Sequence, residues 1–342
     1  MSTGVSALRV VFAEGDTSER GRVVGRELGD AIGRSLAFYR TVFERRGLRA
    51  EGVAAFLAPF RAAAERELPE HVAWLDGLAE GAEVSPGELF AVNAFEELDP
   101  LLERCSTFNA VGPGYTILGH NELWLAGDAG QVAVVIDRVA DDLAMASPTV
   151  ACFLPAVGMN SRRVAQGVDS LAALDDGVGV PRVLVSRHAL EAVSREDAVR
   201  RASPAGRAGG YGHVFALAGG EAFTVETTAH RAVVLDGAGA HTNHYLDPGL
   251  AELAAPPSAG STARHALLEK LLEERRPSTA DDAMALLRAH DVASSDPEPD
   301  DGDEAWAVLF SMVCDLEAGR MWVAAGRPAT TPYEEVDLGD VV

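Results

Sequence analysis

Cys105 is the residue of this chain whose type and position are best suited to covalent chemistry. Asp99-Pro100 ends a helical pattern and a strand is predicted to begin at the cysteine, so the residues between them are expected to form an exposed connection. Cleavage between Arg104 and Cys105 would make the thiol part of a new N-terminus. Its own α-amino group, with an ordinary pKa of about 7.7–8.0, could then accept the thiol proton. On local chemistry alone an unpaired cysteine is more often a small buried side chain, so both interpretations stay open.

A β-hairpin is predicted to position this cysteine. Two strand-like runs, Cys105–Val111 and Tyr115–Gly119, flank the turn Gly112-Pro113-Gly114. The hairpin is expected to set the cysteine level with His120 and Asn121 at the end of the second strand.

Three further polar residues could act on the same reaction. Side chains alternate along a strand, so Thr107 is predicted on the face of the cysteine, where it could steady the thiolate. Asn121 could bind the cysteine backbone or the substrate. Asn243 ends a strand, a common position for asparagine. Thr107 and Asn121 could equally be polar residues of a sheet edge, and on local pattern alone Asn243 is better explained as the residue that closes its strand.

The sequence predicts no metal and no cofactor. His241 and His244 are three apart in an extended segment and should point to opposite faces, and no carboxylate joins them or His120 at a recognised metal spacing. No Walker-type loop and no G-x-G-x-x-G motif indicates a nucleotide site.

The order of predicted elements indicates an α+β fold. Helical spacing dominates residues 17–98, and strand patterns begin at Cys105. Strands that are apolar on both faces, such as Val132–Ile136, indicate sheets covered on both sides. Two later helices, Ser261–Glu274 and Thr279–His290, complete a layered architecture of two packed sheets with helices outside.

Three local predictions accompany this architecture. Glycines recur every four residues in the first long helix, which should therefore lie close against a neighbouring backbone; they are Gly21, Gly25, Gly29 and Gly33. A capped start at Ser85 predicts one helix over Pro86–Leu98. A strand is predicted at Pro148–Leu154.

The chain resembles the acyl-CoA:6-aminopenicillanic acid acyltransferase family (peptidase family C45) of the N-terminal-nucleophile hydrolases. That family has a Cys-Ser/Thr-Thr start followed by a Gly-Gln-Asn-Trp-Asp-Trp-like element. The matching segments here are Cys105-Ser106-Thr107 and Gly119-His120-Asn121-Glu122-Leu123-Trp124. Further matches in the same order are Ala79-Glu80-Gly81-Ala82, His241–Leu246 and Gly326-Arg327-Pro328.

The resemblance implies a four-layer αββα sandwich with a helical N-terminal segment. Residues 1–104 would be released by autocleavage but stay associated with residues 105–342, which begin at the nucleophile. The amide of Asn243 would stabilise the oxyanion. Four residues would contact the substrate, namely Glu122, Trp124, His241 and His244.

Two departures from the family pattern affect this assignment. Arg104 stands where the penicillin-forming relatives have glycine, which enters a strained loop more easily. Leu123 stands at the family aspartate. Glu122 is its neighbour, but adjacent strand residues face opposite ways, so Glu122 is not an automatic replacement.

Composition limits the possible partners. The net charge is −23, with 29 basic and 52 acidic residues, which argues against nucleic acid and anionic membranes. It also disfavours a coenzyme A thioester, although such a donor remains possible. Three cysteines are too few for a disulfide framework, and a cytoplasmic protein acting on a small-molecule amide or acyl donor is expected. The oligomeric state stays open.

Three functions remain in competition at this point. The first is a self-processing cysteine amidohydrolase or acyltransferase that acts on a small N-acyl amide through an acyl thioester on Cys105. The second is a non-catalytic protein that keeps the fold as a ligand-binding shell. The third is an unprocessed cysteine hydrolase with His241 or His244 as its base.

Overall fold

The computed structural model describes residues 8–99, 105–294 and 302–338 of the 342-residue chain. The predicted cleavage residue Arg104 and the connection before Cys105 lie outside the described residues. The same holds for residues 295–301.

The N-terminal part of the chain is helical, as its pattern predicts. Its described helices are α1 (Thr17–Arg45), α2 (Ala50–Glu67), α3 (Pro69–Gly81), α4 (Pro86–Asn93) and α5 (Phe95–Leu98). The single helix predicted over Pro86–Leu98 is therefore wrong, because the chain breaks at Ala94, whose φ is −110°. The break turns Phe95 and Glu96 into the interior, where both are buried.

Helices α1 and α3 touch at backbone distance. A Cβ added at Gly21 or Gly25 would lie 2.1 or 2.3 Å from a backbone oxygen of α3, closer than real Cβ atoms approach. The predicted close contact is confirmed at these two glycines. It is wrong for Gly29 and Gly33, whose added Cβ would meet nothing closer than 3.9 Å.

The described strands form two sheets. Their bounds are β1 (Val10–Ala13), β2 (Ser106–Gly112), β3 (Tyr115–Leu125), β4 (Val132–Ala140), β5 (Leu143–Val150), β6 (Gly158–Asn160), β7 (Val164–Leu171), β8 (Gly210–Leu217), β9 (Glu221–Thr227), β10 (Ala232–Asp236), β11 (Ala240–His241), β12 (Trp306–Asp315), β13 (Arg320–Ala324) and β14 (Glu334–Glu335). The eight-stranded sheet has the order β1-β4-β5-β6-β7-β8-β9-β10, and the six-stranded sheet has the order β11-β2-β3-β12-β13-β14.

Helices cover the outer face of each sheet. The later helices are α6 (Arg182–Leu190), α7 (Arg195–Ala202), α8 (Ala259–Glu274) and α9 (Ala280–Ser294). Leu268 of α8 and Leu287 of α9 share a buried cluster with Phe108 of β2. Between the sheets, an added Cβ at Gly167 of β7 would lie 2.6 Å from Cγ2 of Thr107. The layers are therefore helix, sheet, sheet, helix, which confirms the predicted α+β sandwich.

One strand prediction is wrong in its bounds. The pattern predicts a strand at Pro148–Leu154, but β5 ends at Val150. The reason is tertiary, because the Asn93 side chain donates to the Cys152 carbonyl (2.9 Å) and accepts from the Leu154 N–H (2.7 Å). These bonds replace the ladder that a continuing strand would make.

Strand β7 is absent from the sequence prediction because its core positions are polar. Gln166 and Asp169 interrupt the apolar pattern, yet both are fully buried. Gln166 donates to the Ser186 carbonyl (2.9 Å), and Asp169 bonds to His241 (3.1 Å). Among the described residues, no helix has the length and apolar character that crossing a membrane requires.

Candidate active site

Cys105 lies immediately before β2, and its side chain is buried between the two sheets. In the β2–β3 pairing Ser106 stands opposite Asn121 and Thr107 opposite His120, so Glu122 stands opposite Cys105. The thiol Sγ is 3.4 Å from Oε1 of Glu122. The cysteine is thus level with Glu122, rather than with His120 and Asn121 as the hairpin prediction has it.

This register also decides whether Glu122 or Leu123, which stands at the family aspartate, faces the thiol. Side chains directly opposite each other on paired strands share a face. Glu122 therefore shares the face of Cys105, while Leu123 points the other way. Glu122 and Leu123 thus face opposite ways, as strand alternation predicts, and the strand continues to Leu125 with Glu122 level with the cysteine.

A chain of hydrogen bonds extends from the thiol into the sheet. The second oxygen of Glu122, Oε2, is 2.9 Å from Nε2 of His120. Nδ1 of His120 is 2.8 Å from the hydroxyl of Thr107. Thr107 does share the face of Cys105, but its hydroxyl binds the imidazole rather than the thiol.

The electrostatic surroundings keep this thiol protonated. Burial raises the pKa of Cys105 well above its ordinary range, and the nearby carboxylates of Glu122 and Asp169 raise it further. The thiolate is the nucleophilic form. A base must therefore remove the proton as the sulfur attacks.

His241 is unsuited to be that base. It lies buried between Asp169 (3.1 Å) and Glu226 (3.1 Å). Burial lowers its pKa, but the hydrogen bonds to both carboxylates outweigh this effect and raise it to about 9. At neutral pH the imidazole is protonated and has no free lone pair.

His244 lies apart from the thiol as well. Its Nδ1 is 2.8 Å from the hydroxyl of Ser261 in α8, and its ring packs edge-on to His265. The structure therefore brings neither His241 nor His244 to the position of a base, which weighs against an unprocessed hydrolase with a histidine base.

Asn243 is held in one orientation by two partners. Oδ1 accepts a hydrogen bond from Arg264 (2.6 Å), and Nδ2 donates to the Ser170 carbonyl (3.1 Å). Because a guanidinium only donates, it identifies Oδ1 as the acceptor and fixes the direction of the amide N–H groups. In the β11–β2 pairing His241 stands opposite Thr107, and Asn243 follows two residues after this pairing ends.

Asn121 faces away from this site. Its side chain accepts from the Ser311 hydroxyl and donates to the Leu287 carbonyl of α9 (3.4 Å). The prediction that Asn121 touches the cysteine or the substrate does not agree with these contacts. The cause is strand alternation, since Asn121 precedes Glu122 by one residue and so lies on the helix-covered face.

An apolar cavity of about 90 Å³ opens beside Glu122. Its walls are mainly aromatic and aliphatic, and they include Trp124, Phe153 and Phe310. Of the residues predicted to contact the substrate, Glu122 and Trp124 line this cavity. His241 and His244 are not part of the lining.

The sequence analysis misses a buried acid in this cavity. Glu96 lines the wall and accepts hydrogen bonds from Ser170 and Tyr211. Burial raises its pKa to about 7, so its charge changes near neutral pH. The sequence pattern, which predicts an unbroken helix here, gives no signal of it; the break at Ala94 that turns Glu96 inward appears only in the structure.

Two groups within the described ranges could hold a metal ion by geometry. One consists of His71, His188 and Glu191, and the other includes Cys105 together with His120 and Glu122. Neither contains His241 or His244, but His120 is in the second group, so the expectation that no carboxylate joins this histidine is wrong.

The sequence matches the model of one protein family, acyl-coenzyme A:6-aminopenicillanic acid acyl-transferase, over residues 112–330. The match includes Asn121, Glu122 and Asn243, and it begins after Cys105. No curated protein matches the chain.

Two solved structures illustrate its distant similarities. Penicillin V acylase from Agrobacterium tumefaciens is 14% identical, with 68% of this chain and 86% of that chain covered and a TM-score of 0.45. A variant of conjugated bile acid hydrolase from Clostridium perfringens is 13% identical, with 68% and 92% covered and a TM-score of 0.48. Likenesses this distant identify no substrate.

Proposed function

Because this chain belongs to the acyl-coenzyme A:6-aminopenicillanic acid acyl-transferase family, we propose that it is a self-processing cysteine amidohydrolase or acyltransferase acting on small N-acyl amides. The observation that carries the proposal is the link between thiol and cavity. Glu122 bonds to Sγ of Cys105 and also lines the apolar cavity. An acyl group in the cavity would thus lie next to the carboxylate that contacts the sulfur.

The first reaction in this proposal is self-cleavage. Sγ of Cys105 attacks the carbonyl carbon of Arg104, the thiol proton passes to the departing backbone nitrogen, and the peptide becomes a thioester. Water then hydrolyses the thioester. The products are a carboxyl group on Arg104 and a free α-amino group on Cys105.

The second reaction is turnover of an amide. The α-amino group takes the thiol proton while Sγ attacks the substrate carbonyl, and an N–H of Asn243 stabilises the oxyanion. The proton passes to the leaving amine, and the acyl group stays on Cys105 as a thioester. Water or an acceptor amine then releases it.

Buried contacts support the expectation that the two fragments stay together after cleavage. Strand β1 pairs in parallel with β4 across the cut. Glu97 forms a buried ion pair with Arg182 (3.0 Å), and Ser35 donates to Asp128 (2.6 Å). Each contact joins residues 1–104 to residues 105–342.

We expect hydrolysis of a small amide to outpace acyl transfer from coenzyme A. The donor carries several phosphate charges, whereas the cavity wall contains the acids Glu96 and Glu122. Three arginines that could offset this charge are bound to Asp142 or to backbone carbonyls instead, namely Arg162, Arg163 and Arg207. Steady-state rates of both reactions at two salt concentrations would check this. Saturable transfer that is faster than hydrolysis of every amide tried would contradict it.

An acyl-enzyme experiment tests the proposed function. The wild-type chain would be mixed with an activated ester of a small apolar acid, quenched in acid and digested for peptide mapping. We expect the mass increase of one acyl group on the peptide that begins at Cys105, and its loss when an amine is added. Acylation of a different residue would overturn the assignment.

A further inference from the structure

Cys105, His120 and Glu122 form a cluster of metal-binding side chains, here called the thiol cluster. Each offers one ligand atom, and these atoms lie within 4.8 Å of one another. We propose that the thiol cluster binds one Zn²⁺ ion through Sγ, the His120 Nε2 and a Glu122 carboxylate oxygen, and that the ion blocks the thiol. The binding site stands on these residues alone, whereas the inhibition rests on the proposed function.

The distances suit a tetrahedral ion. With Zn–S of about 2.3 Å and Zn–N or Zn–O of about 2.0–2.2 Å, neighbouring ligand atoms must be about 3.4–3.6 Å apart. In the thiol cluster Sγ is 3.4 Å from Glu122 Oε1, and His120 Nε2 is 2.9 Å from Oε2. The three-ligand set would form once Nε2 and Oε2 move about 0.5 Å apart and one Glu122 oxygen turns toward both other ligand atoms, which would leave a fourth position for water.

The imidazole is already oriented by a partner outside the cluster. Nδ1 of His120 is 2.8 Å from the Thr107 hydroxyl, so Nε2 is directed to Glu122. Metal-bound histidines characteristically have their second nitrogen held in this way. Thr107 and His120 are both fully buried, so the arrangement is fixed before any ion enters.

The local charge favours a cation. The carboxylates of Glu122 and Asp169 both act on the thiol, and Oδ1 of Asp169 is buried without a hydrogen-bond partner among the described residues. The positively charged His241 forms ion pairs with both Asp169 and Glu226. One cation therefore faces two carboxylates, and negative charge remains. When zinc binds, the thiol proton leaves to solvent, a Zn–S bond forms, and the ion releases water.

The second group of possible ligands is a poorer site. Arg187 and Arg201 both hydrogen-bond to Glu191. Burial, and after it the charges of Arg187 and Arg201, lower the pKa of His71 to about 3. A metal ion is disfavoured beside these two guanidinium groups. A substitution of His188, which belongs to this group, therefore provides a matched control for metal binding at the thiol cluster.

Cobalt titration of the full chain tests the proposal. After treatment with a chelator, one equivalent of Co²⁺ should produce the near-ultraviolet charge-transfer band of a cobalt–thiolate bond. Zn²⁺ should remove the band by displacement and slow alkylation of Cys105 by iodoacetamide. His120→Gln, which restores the residue of the family pattern, should weaken binding by more than the roughly 10–100-fold cost of an outer partner.

Two further variants complete the test. Glu122→Gln should weaken Co²⁺ binding in the same way as His120→Gln, with circular dichroism to check the fold of both. His188→Gln should leave affinity and band unchanged. Cobalt binding without the band, unchanged affinity in the thiol-cluster variants, or loss of binding in His188→Gln would overturn the proposal. Failure of the wild type to cleave itself would contradict the proposed function without affecting the titration.

Discussion

Replacing Cys105 with alanine is expected to leave a single uncut chain and to lower amide hydrolysis by on the order of 10⁶, as loss of a nucleophile does in other hydrolases. The variant has no sulfur to attack the carbonyl of Arg104 or of a substrate. A denaturing gel and a steady-state assay measure the two effects.

Cys314→Ala is the matched control, since it removes another fully buried thiol. It is expected to cut itself and to turn over at the wild-type rate. A Cys105→Ala chain that still cleaves would show that the thiol is not the nucleophile.

Replacing Asn243 with alanine is expected to lower kcat by on the order of 10²–10³, the usual cost of removing an oxyanion donor. Asn243→Asp is a sharper variant. Aspartate can still accept the bond from Arg264, but it has no N–H to donate to an oxyanion or to the Ser170 carbonyl. Both variants should therefore lose activity while circular dichroism reports an unchanged fold.

The Asn243→Asp result separates two roles for this residue. Wild-type turnover in Asn243→Asp would mean that the side chain serves only to hold Arg264 and the end of the strand. Loss of turnover in Asn243→Ala with full turnover in Asn243→Asp would lead to the same conclusion.

The β2–β3 hairpin is predictable from sequence because its turn residues and strand pattern are local signals. The length of β3 is not predictable from sequence, because the polar Glu122 interrupts the apolar alternation that marks a strand. The extension to Leu125 depends on pairing with β12, which begins far along the chain at Trp306. That extension is what brings Glu122 level with Cys105, and no local pattern contains it.

Buried polar partners are the other part that sequence reasoning cannot supply. Asp169 and Gln166 make β7 look unlike a core strand, although partners on other elements satisfy them. Arg264 lies on a helix whose pattern says nothing about Asn243, yet it sets the direction of that amide. Such contacts exist only once the sheets and helices are assembled.

The intact mass of the purified wild-type chain decides whether Cys105 becomes an N-terminus. Under denaturing conditions we expect two species, residues 1–104 and 105–342, from protein that behaves as one particle under native conditions. A single species of 342 residues, persisting through long incubation, would contradict the self-processing mechanism.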